Sequence, residues 1–242
     1  MSMRRNTGRD RRSPTQRDLL AGLYASDVYH FDAGSGVTLS GSRVQTWVDR
    51  SQGLSLAKGG GSNDPLLVAG ATPAGRPAVQ MDATSRFMFA AVPDLFSAPA
   101  MTIAIVLREM ATTVPFLRGN SGATTYVQVR SNATHQLMFT GSTTLTGPAP
   151  DTTNYNIYVW HIAAGSFGGA LTTKLLYKNG VSQTLTGTPN FPAAPGAAGQ
   201  FRIGPNSTSG GYVAELITCE GRLLDERTLT LALGAKHGIT VT

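Results

Sequence analysis

Between Val28 and Thr218 the chain breaks into about eleven short runs rich in β-branched and aromatic residues, and no helical stretch interrupts them. They include "VYHFD", "RVQTWV", "PAVQMD", "RFMFAAV", "MTIAIVL", "TYVQVR", "NIYVWHIA", "FRIG" and "YVAELIT", most of four to eight residues and bounded by Gly, Pro, Asn or Ser. Residues of this kind in runs of this length fit a pleated strand. Asn179-Gly180, between "LLYK" and "VSQTL", predicts a two-residue hairpin, because a type I′ turn needs positive φ at both central positions. Strands without crossover helices predict an all-β antiparallel sandwich rather than a parallel α/β sheet.

One helix closes the pattern. In "LLDERTLTLALGAKHGI", Asp225 is placed to cap the start, Glu226 to lie in the positive first turn, and Lys236 and His237 in the negative last turn. Gly238 is placed for the left-handed stop. The periodicity makes Leu229, Ala232 and Leu233 the inward stripe and leaves Thr230 facing solvent. A second, shorter helix is expected near the start, where Ser13, Pro14 and Gln16 have capping-box spacing and Leu19, Leu20, Leu23 and Tyr24 share a face. The chain therefore reads as a basic N-terminal arm with a short helix over residues 1–27 and one β domain over residues 28–242.

Composition narrows the classes. Hydrophobic residues make up 41% of the 242, enough for a real core, while only 14% are charged. The single cysteine, Cys219, cannot form an internal disulfide, and no Cys/His cluster has zinc spacing. The early apolar run Leu19–Ala25 is too short to span a bilayer and follows an unusually long polar segment, so neither a membrane span nor a secretory signal is expected. Residues 1 to 18 hold six arginines against two aspartates, which is +4 of the chain's formal +6. The rest is nearly neutral and shows no basic stripe interleaved with aromatics, so nucleic-acid binding is disfavoured.

The quoted runs, taken in order with "TWVDRSQG", "GRPAVQMDATSRFMFA", "LYKNGVSQ" and the closing "FRIGPNSTSGGYVAELITCEGRLLDERTLTLALGAKHGI", resemble the concanavalin A-like jelly-roll domains of the laminin-G-like type found in bacterial and phage proteins. The resemblance covers residues 28 to 240 and is densest at the end, where a Gly-rich lead, a strand and a helix finish in Lys-His-Gly-Ile. It departs from many relatives at His30-Phe31, where they have an aromatic-apolar pair, and at Met81-Asp82-Ala83, where they have Phe-Asp-Gly. The resemblance implies a jelly-roll sandwich. It does not fix function, because lectins, glycan hydrolases and structural modules share the fold.

A retaining glycosidase needs two carboxylates about 5 Å apart, usually presented on this fold as alternating acids along one strand. The four glutamates, Glu109, Glu215, Glu220 and Glu226, do not alternate, and Glu215 is expected to meet a hydrogen-bond partner under the terminal helix instead. His30, His135, His161 and His237 are scattered, and His161 in "YVWHIA" reads as a core histidine. No nucleophile elbow, phosphate loop or dinucleotide fingerprint is present, and "GGGS" at residues 59–62 reads as a turn. Asp49 and Asp82 lack the clustered acidic loop of a calcium site and are expected to serve turns and strand ends. No catalytic residue, metal or cofactor is assigned.

Trp47 and Trp160 lie inside apolar strands and are assigned to the core. Tyr126, Asn206 and Tyr212 adjoin Gly/Ser-rich turns and are the candidate glycan-binding residues. In the arm, Arg4, Arg5, Arg9, Arg11 and Arg12 are the candidate docking residues, since guanidinium forks pair bidentately with carboxylate or phosphate. An acidic protein surface is the preferred partner, with nucleic acid behind it. Together with the resemblance, an unsecreted jelly roll carrying a basic arm looks like a non-enzymatic accessory protein of a phage virion, made in the host cytoplasm. Its arm would dock on capsid, neck or tail proteins, and its domain would face outward toward host glycans. Homo-oligomeric assembly is compatible with that role, and a bacterial or viral carbohydrate-binding module is the alternative, with a glycoside hydrolase behind both.

Overall fold

The computed structural model describes residues 27–59, 64–81, 86–92, 100–109, 113–121, 124–132, 134–139, 145–164, 171–187, 199–204 and 210–242. The basic arm, with its expected helix, and Asp82 lie outside them. Strands β1 to β6 span Val28–Asp32, Val37–Ser40, Arg43–Val48, Ser55–Lys58, Leu66–Val68 and Ala78–Met81. Strands β7 to β12 span Met88–Val92, Ala100–Glu109, Thr113–Ser121, Thr124–Asn132, Thr134–Phe139 and Leu145–Thr146. Strands β13 to β17 span Asn156–Ala164, Leu171–Lys178, Val181–Gln183, Gly199–Ile203 and Gly211–Glu220, and helix α1 spans Glu226–His237. The strands outnumber the runs that the alternation predicts. The additional ones are mostly four residues or shorter, and β9 is broken up in sequence by Pro115 and Gly119, with the proline beside an irregularity in its pairing to β10.

All described pairings are antiparallel. One layer has the order β1-β17-β8-β13-β14-β15. The other runs β2-β3-β4-β7-β16-β9-β10-β11-β12. Strands β6 and β5 carry the hydrogen bonding from the edge of β17 toward β3, and a bridge between Thr146 and Thr186 joins the far ends. The result is a β-sandwich whose sheet edges are largely paired with one another, which blunts edge-to-edge aggregation.

Alternation along the first layer divides its side chains between two apolar clusters. Phe31, Ile103, Ile105, Trp160 and Leu216 point inward and meet Trp47, Leu56, Met88 and Phe201 of the opposite layer. Phe31 stacks on Phe201 and takes the edge of Trp47, both at 5.7 Å between centroids, and the buried Trp47 indole donates to the Asp32 carbonyl at 3.1 Å. The other face of the layer carries Val28, Ala104, Val106, Ile157, Val159, Ile217 and Cys219, which pack under Leu224, Leu229, Leu233 and Ile239 of the terminal segment. Burial here pushes the Cys219 thiol up to about 12, which makes it an inert packing group.

Helix α1 has the expected ends. The Asp225 carboxylate accepts from the Thr228 amide at 2.7 Å, and Gly238 adopts φ 71°. A Cβ on Gly238 would lie 2.8 Å from the Ala74 nitrogen, so glycine is required there by space as well as by conformation. The inward face differs from the expected stripe. Thr230 is fully buried and its hydroxyl is bonded to Glu226 at 3.0 Å, while Ala232 is half-buried. Gly234 and His237 complete the buried face. A threonine reads as a surface residue by polarity, but a hydroxyl satisfied within its own helix loses that objection to burial.

Leu233→Ala should therefore cost about 2–5 kcal/mol through lost burial and the cavity left behind. Leu231, 46% exposed on the same helix, is the proper surface control, and Leu231→Ala should stay within about 0.5 kcal/mol. Urea midpoints at unchanged m-value check both; equal midpoints would mean that the helix is not packed on the sheet.

Candidate functional site: a polar groove at the end of the terminal helix

The site is built on a bulge. Strand β17 pairs with β8 through Val213–Leu107 and then Glu215–Val106, which leaves Ala214 as the extra residue. Val213 faces the inter-layer core, so without the bulge Glu215 would face it too; with it, Glu215 shares the helix side with Ile217 and Cys219. Directly across from Glu215 on β1 stands Asp32, and both residues are 2% exposed. Two carboxylates facing each other across a strand pair repel. The helix supplies the answer: Lys236 places its ammonium 2.8 Å from Asp32 and 2.6 Å from Glu215.

The rest of the cluster completes the neutralisation. His30 and His237 each point Nε2 at a different oxygen of Glu215, at 2.5 and 2.6 Å. Both Nδ1 atoms are buried without a partner among the described residues, which favours the tautomer with the proton on Nε2, donating to the carboxylate. Arg50 at 3.2 Å and Arg76 at 3.9 Å approach Asp32 from the solvent side. Burial pushes the Glu215 carboxyl up, but bonding to His237 and His30 and the charge of Lys236 outweigh it and hold the group far below the usual range. Bridged by Lys236, the two buried carboxylates clamp the end of the helix onto the sheet.

The clamp fixes what lies beyond it. The His237 carbonyl accepts from the Ala74 amide at 3.0 Å, and the loop around it is tied by Thr72 and Arg76 through three further bonds. Next to this loop, opposite Asp151–Asn156 and the Asn179 turn, lies a groove of about 650 Å³, within the range of small-ligand sites. Its charged lining is Arg108, Lys178 and Asp151. Asp151 closes an Asx turn, accepting from the Thr153 and Asn154 amides at 3.0 Å each and from Lys178 at 3.4 Å. Burial opposes its ionisation, but those backbone donors win and hold its carboxyl far below the ordinary value. The amide of Asn179 bonds Asn156 at 2.8 Å and its carbonyl oxygen accepts from Ile157, while Asn179 and Gly180 take φ of 51° and 86° as a type I′ turn requires.

Arg108 is the unusual group. Its guanidinium lies 4.2 Å from the Tyr212 ring centroid and 5.6 Å from that of Tyr155, and among the described residues it has no carboxylate partner. Tyr155 lines the same groove; its hydroxyl is buried without a partner among the described residues, and burial pushes it up to about 12, so it remains a protonated donor.

Of the residues picked from sequence, Tyr212 is brought to this site, through Arg108. Tyr126 lies in β10 with its side chain outside the described residues, and Asn206 and the arm arginines lie outside them altogether. Asp49 caps the turn after β3, accepting from the amides of His30, Ser51 and Gln52. His161 is 7% exposed against Tyr177, and its burial lowers its basicity. Among the described residues no group of three His, Cys, Asp or Glu side chains is arranged to hold a metal ion. Sequence reasoning missed Arg108, Asp151 and Asn156. The signal available was "DTTNYN", an Asx-turn sequence carrying an aromatic residue.

No protein-family model matches the sequence, and no curated protein sequence does. Solved structures do match. The receptor-binding domain of botulinum neurotoxin type G is similar over 88% of this chain and 52% of its own, at 10% identity and a TM-score of 0.55. A structure of botulinum neurotoxin type C, whose cell entry depends on interaction with two ganglioside molecules, is similar over 81% of this chain and 51% of its own, at 8% identity and a TM-score of 0.56. What is shared is a β-sandwich. This chain spans about half the length of these structures.

Because the folded carboxyl of Glu215 is held below its unfolded value, its contribution is complete above about pH 4.3 and drains away as the pH falls from there toward the folded value. Glu215→Gln should lose about 3–5 kcal/mol at pH 7, because Lys236 loses one of its two carboxylates and both histidines lose a charged acceptor, and the gap to the parent should narrow steadily below about pH 4. Urea midpoints at pH 7 and pH 3 measure this, and a gap of constant size would show that the carboxylate charge is not what holds the helix.

Proposed function

We propose that this chain is a non-catalytic glycan-binding protein whose ligand lies in the groove at the end of α1. The observation that carries the reading is the grouping, on one open concavity, of Tyr155 and of Arg108, whose guanidinium lies over the Tyr212 ring, with Asp151, Asn154, Asn156 and Asn179. A sugar offers apolar C–H faces and a ring of hydroxyls that both donate and accept. Aromatic rings suit the first, and amide and carboxylate groups fixed by a turn suit the second. The likeness in fold to a toxin whose cell entry depends on gangliosides supports the same direction.

The wider setting we infer is an accessory virion protein of a phage. Its arginine-rich arm, Arg4, Arg5, Arg9, Arg11 and Arg12, docks on acidic capsid, neck or tail proteins, and the sandwich faces outward with its groove free for cell-surface glycan. The arm's charge, set apart from a nearly neutral remainder, supports this part of the reading.

On a glycan array the full chain should retain a subset of glycans, and Asn154→Ala, at an exposed residue of the lining, should weaken that retention while leaving the fold intact by circular dichroism. Retention of no glycan would overturn the reading. Deleting residues 1–12 should leave glycan retention unchanged and abolish incorporation into particles; incorporation at the parent level would remove the arm's docking role.

A further inference from the structure

We propose that the groove selects sugars bearing a carboxylate, with Arg108 as the residue that takes it; this rests on the glycan-binding reading above. The Arg108 guanidinium carbon lies over the Tyr212 ring, 4.2 Å from its centroid, and among the described residues its N–H groups make no hydrogen bond. A planar fork presented that way matches the two oxygens of a carboxylate and pays little ordering entropy on binding. Tyr155, whose ring centroid lies 5.6 Å from the guanidinium, lines the groove beside it, with its hydroxyl buried. The N–H groups of Arg108 are therefore the donors that this end of the groove leaves open.

Charge agrees with the donor count. The lining has two cations, Arg108 and Lys178, against the carboxylate of Asp151, whose oxygens are already engaged by the Thr153 and Asn154 amides and by Lys178. The helix terminus adds little opposing negative charge: the Gly234 carbonyl accepts from Ile239 and Gly238, and that of His237 accepts from Ala74. A neutral sugar would leave the Arg108 donors unmatched, and a carboxylate meets them while leaving the aromatic contacts in place.

The test is an array carrying carboxylated, sulfated and neutral members of the same glycan backbones, probed with the full chain and with Arg108→Ala and Arg108→Lys. Signals on carboxylated members should exceed those on their neutral counterparts by about tenfold or more, the scale of a charge-assisted hydrogen bond. Arg108→Ala should erase that preference, and Arg108→Lys, which keeps the charge but loses the fork, should cut it severalfold. If Arg108→Ala fails to fold, Arg108→Lys carries the comparison. Equal retention of neutral members, a preference for sulfated ones, or a carboxylate preference untouched by the Arg108 variants overturns the proposal while glycan binding stands. Retention of no glycan at all overturns both.

Discussion

A single ammonium group, that of Lys236, lies between two buried carboxylates that the strand register sets face to face. The arrangement is costly in isolation, because charges taken out of water lose several kcal/mol of hydration each. It holds because the cluster is nearly complete: Glu215 has both oxygens bonded by histidines, and Asp32 has two arginines at its solvent edge as well as a backbone amide at Gly34. Ionic contacts of this kind have direction, which apolar packing lacks. Leu229 and Leu233 would tolerate a small rotation of α1 on the sheet; Lys236 and His237 would not. The bulge at Ala214 and the helix register are two halves of one constraint.

That constraint reaches the groove through the backbone. The last helical turn presents its His237 carbonyl to Ala74 and ends in a glycine pressed against the same residue, so the loop before β6 takes its position from the helix. On the far wall, the Asn179-Gly180 turn is covered by the chain's end: the Thr242 amide donates to the Asn179 carbonyl, and a Cβ on Gly180 would lie 2.7 Å from the Thr242 carbonyl oxygen. Thus the segment after α1 ties together both sides of the concavity. A site whose walls are pre-positioned loses little ordering entropy on binding, which suits recognition of a polar ligand by a few groups.

Much of the fold was legible in the sequence because it rests on local rules. Strand alternation, the Asn-Gly turn, the Asp225 cap and the Gly238 stop each depend on residues within a few positions of one another. The short strands β2, β4, β5 and β12 were not legible, since so few residues carry little periodicity, and β9 was hidden by its proline and glycine. Thr230 reads as a surface residue by its polarity, although its bond to Glu226 lets the hydroxyl be buried. The role of Lys236 and His237 was read as a dipole effect, when their partners Asp32 and Glu215 lie far away in sequence and reach them only through a bulge. The groove was less legible still: Tyr212 stood out as an aromatic near a Gly-rich turn, but Arg108 looked like the end of an apolar strand, and its two tyrosines come from separate elements.

The ionic clamp under α1 sets the geometry of the groove. Native-state hydrogen exchange on the parent and on Lys236→Met measures it most directly, because the amides of Ala74 and Ile239 lie on the backbone link between the two. Protection at these two amides should fall about tenfold or more in Lys236→Met, while amides in the centre of β13, such as Val159 and Trp160, keep theirs. Unchanged protection at Ala74 and Ile239, or a uniform loss across the sheet, would contradict it.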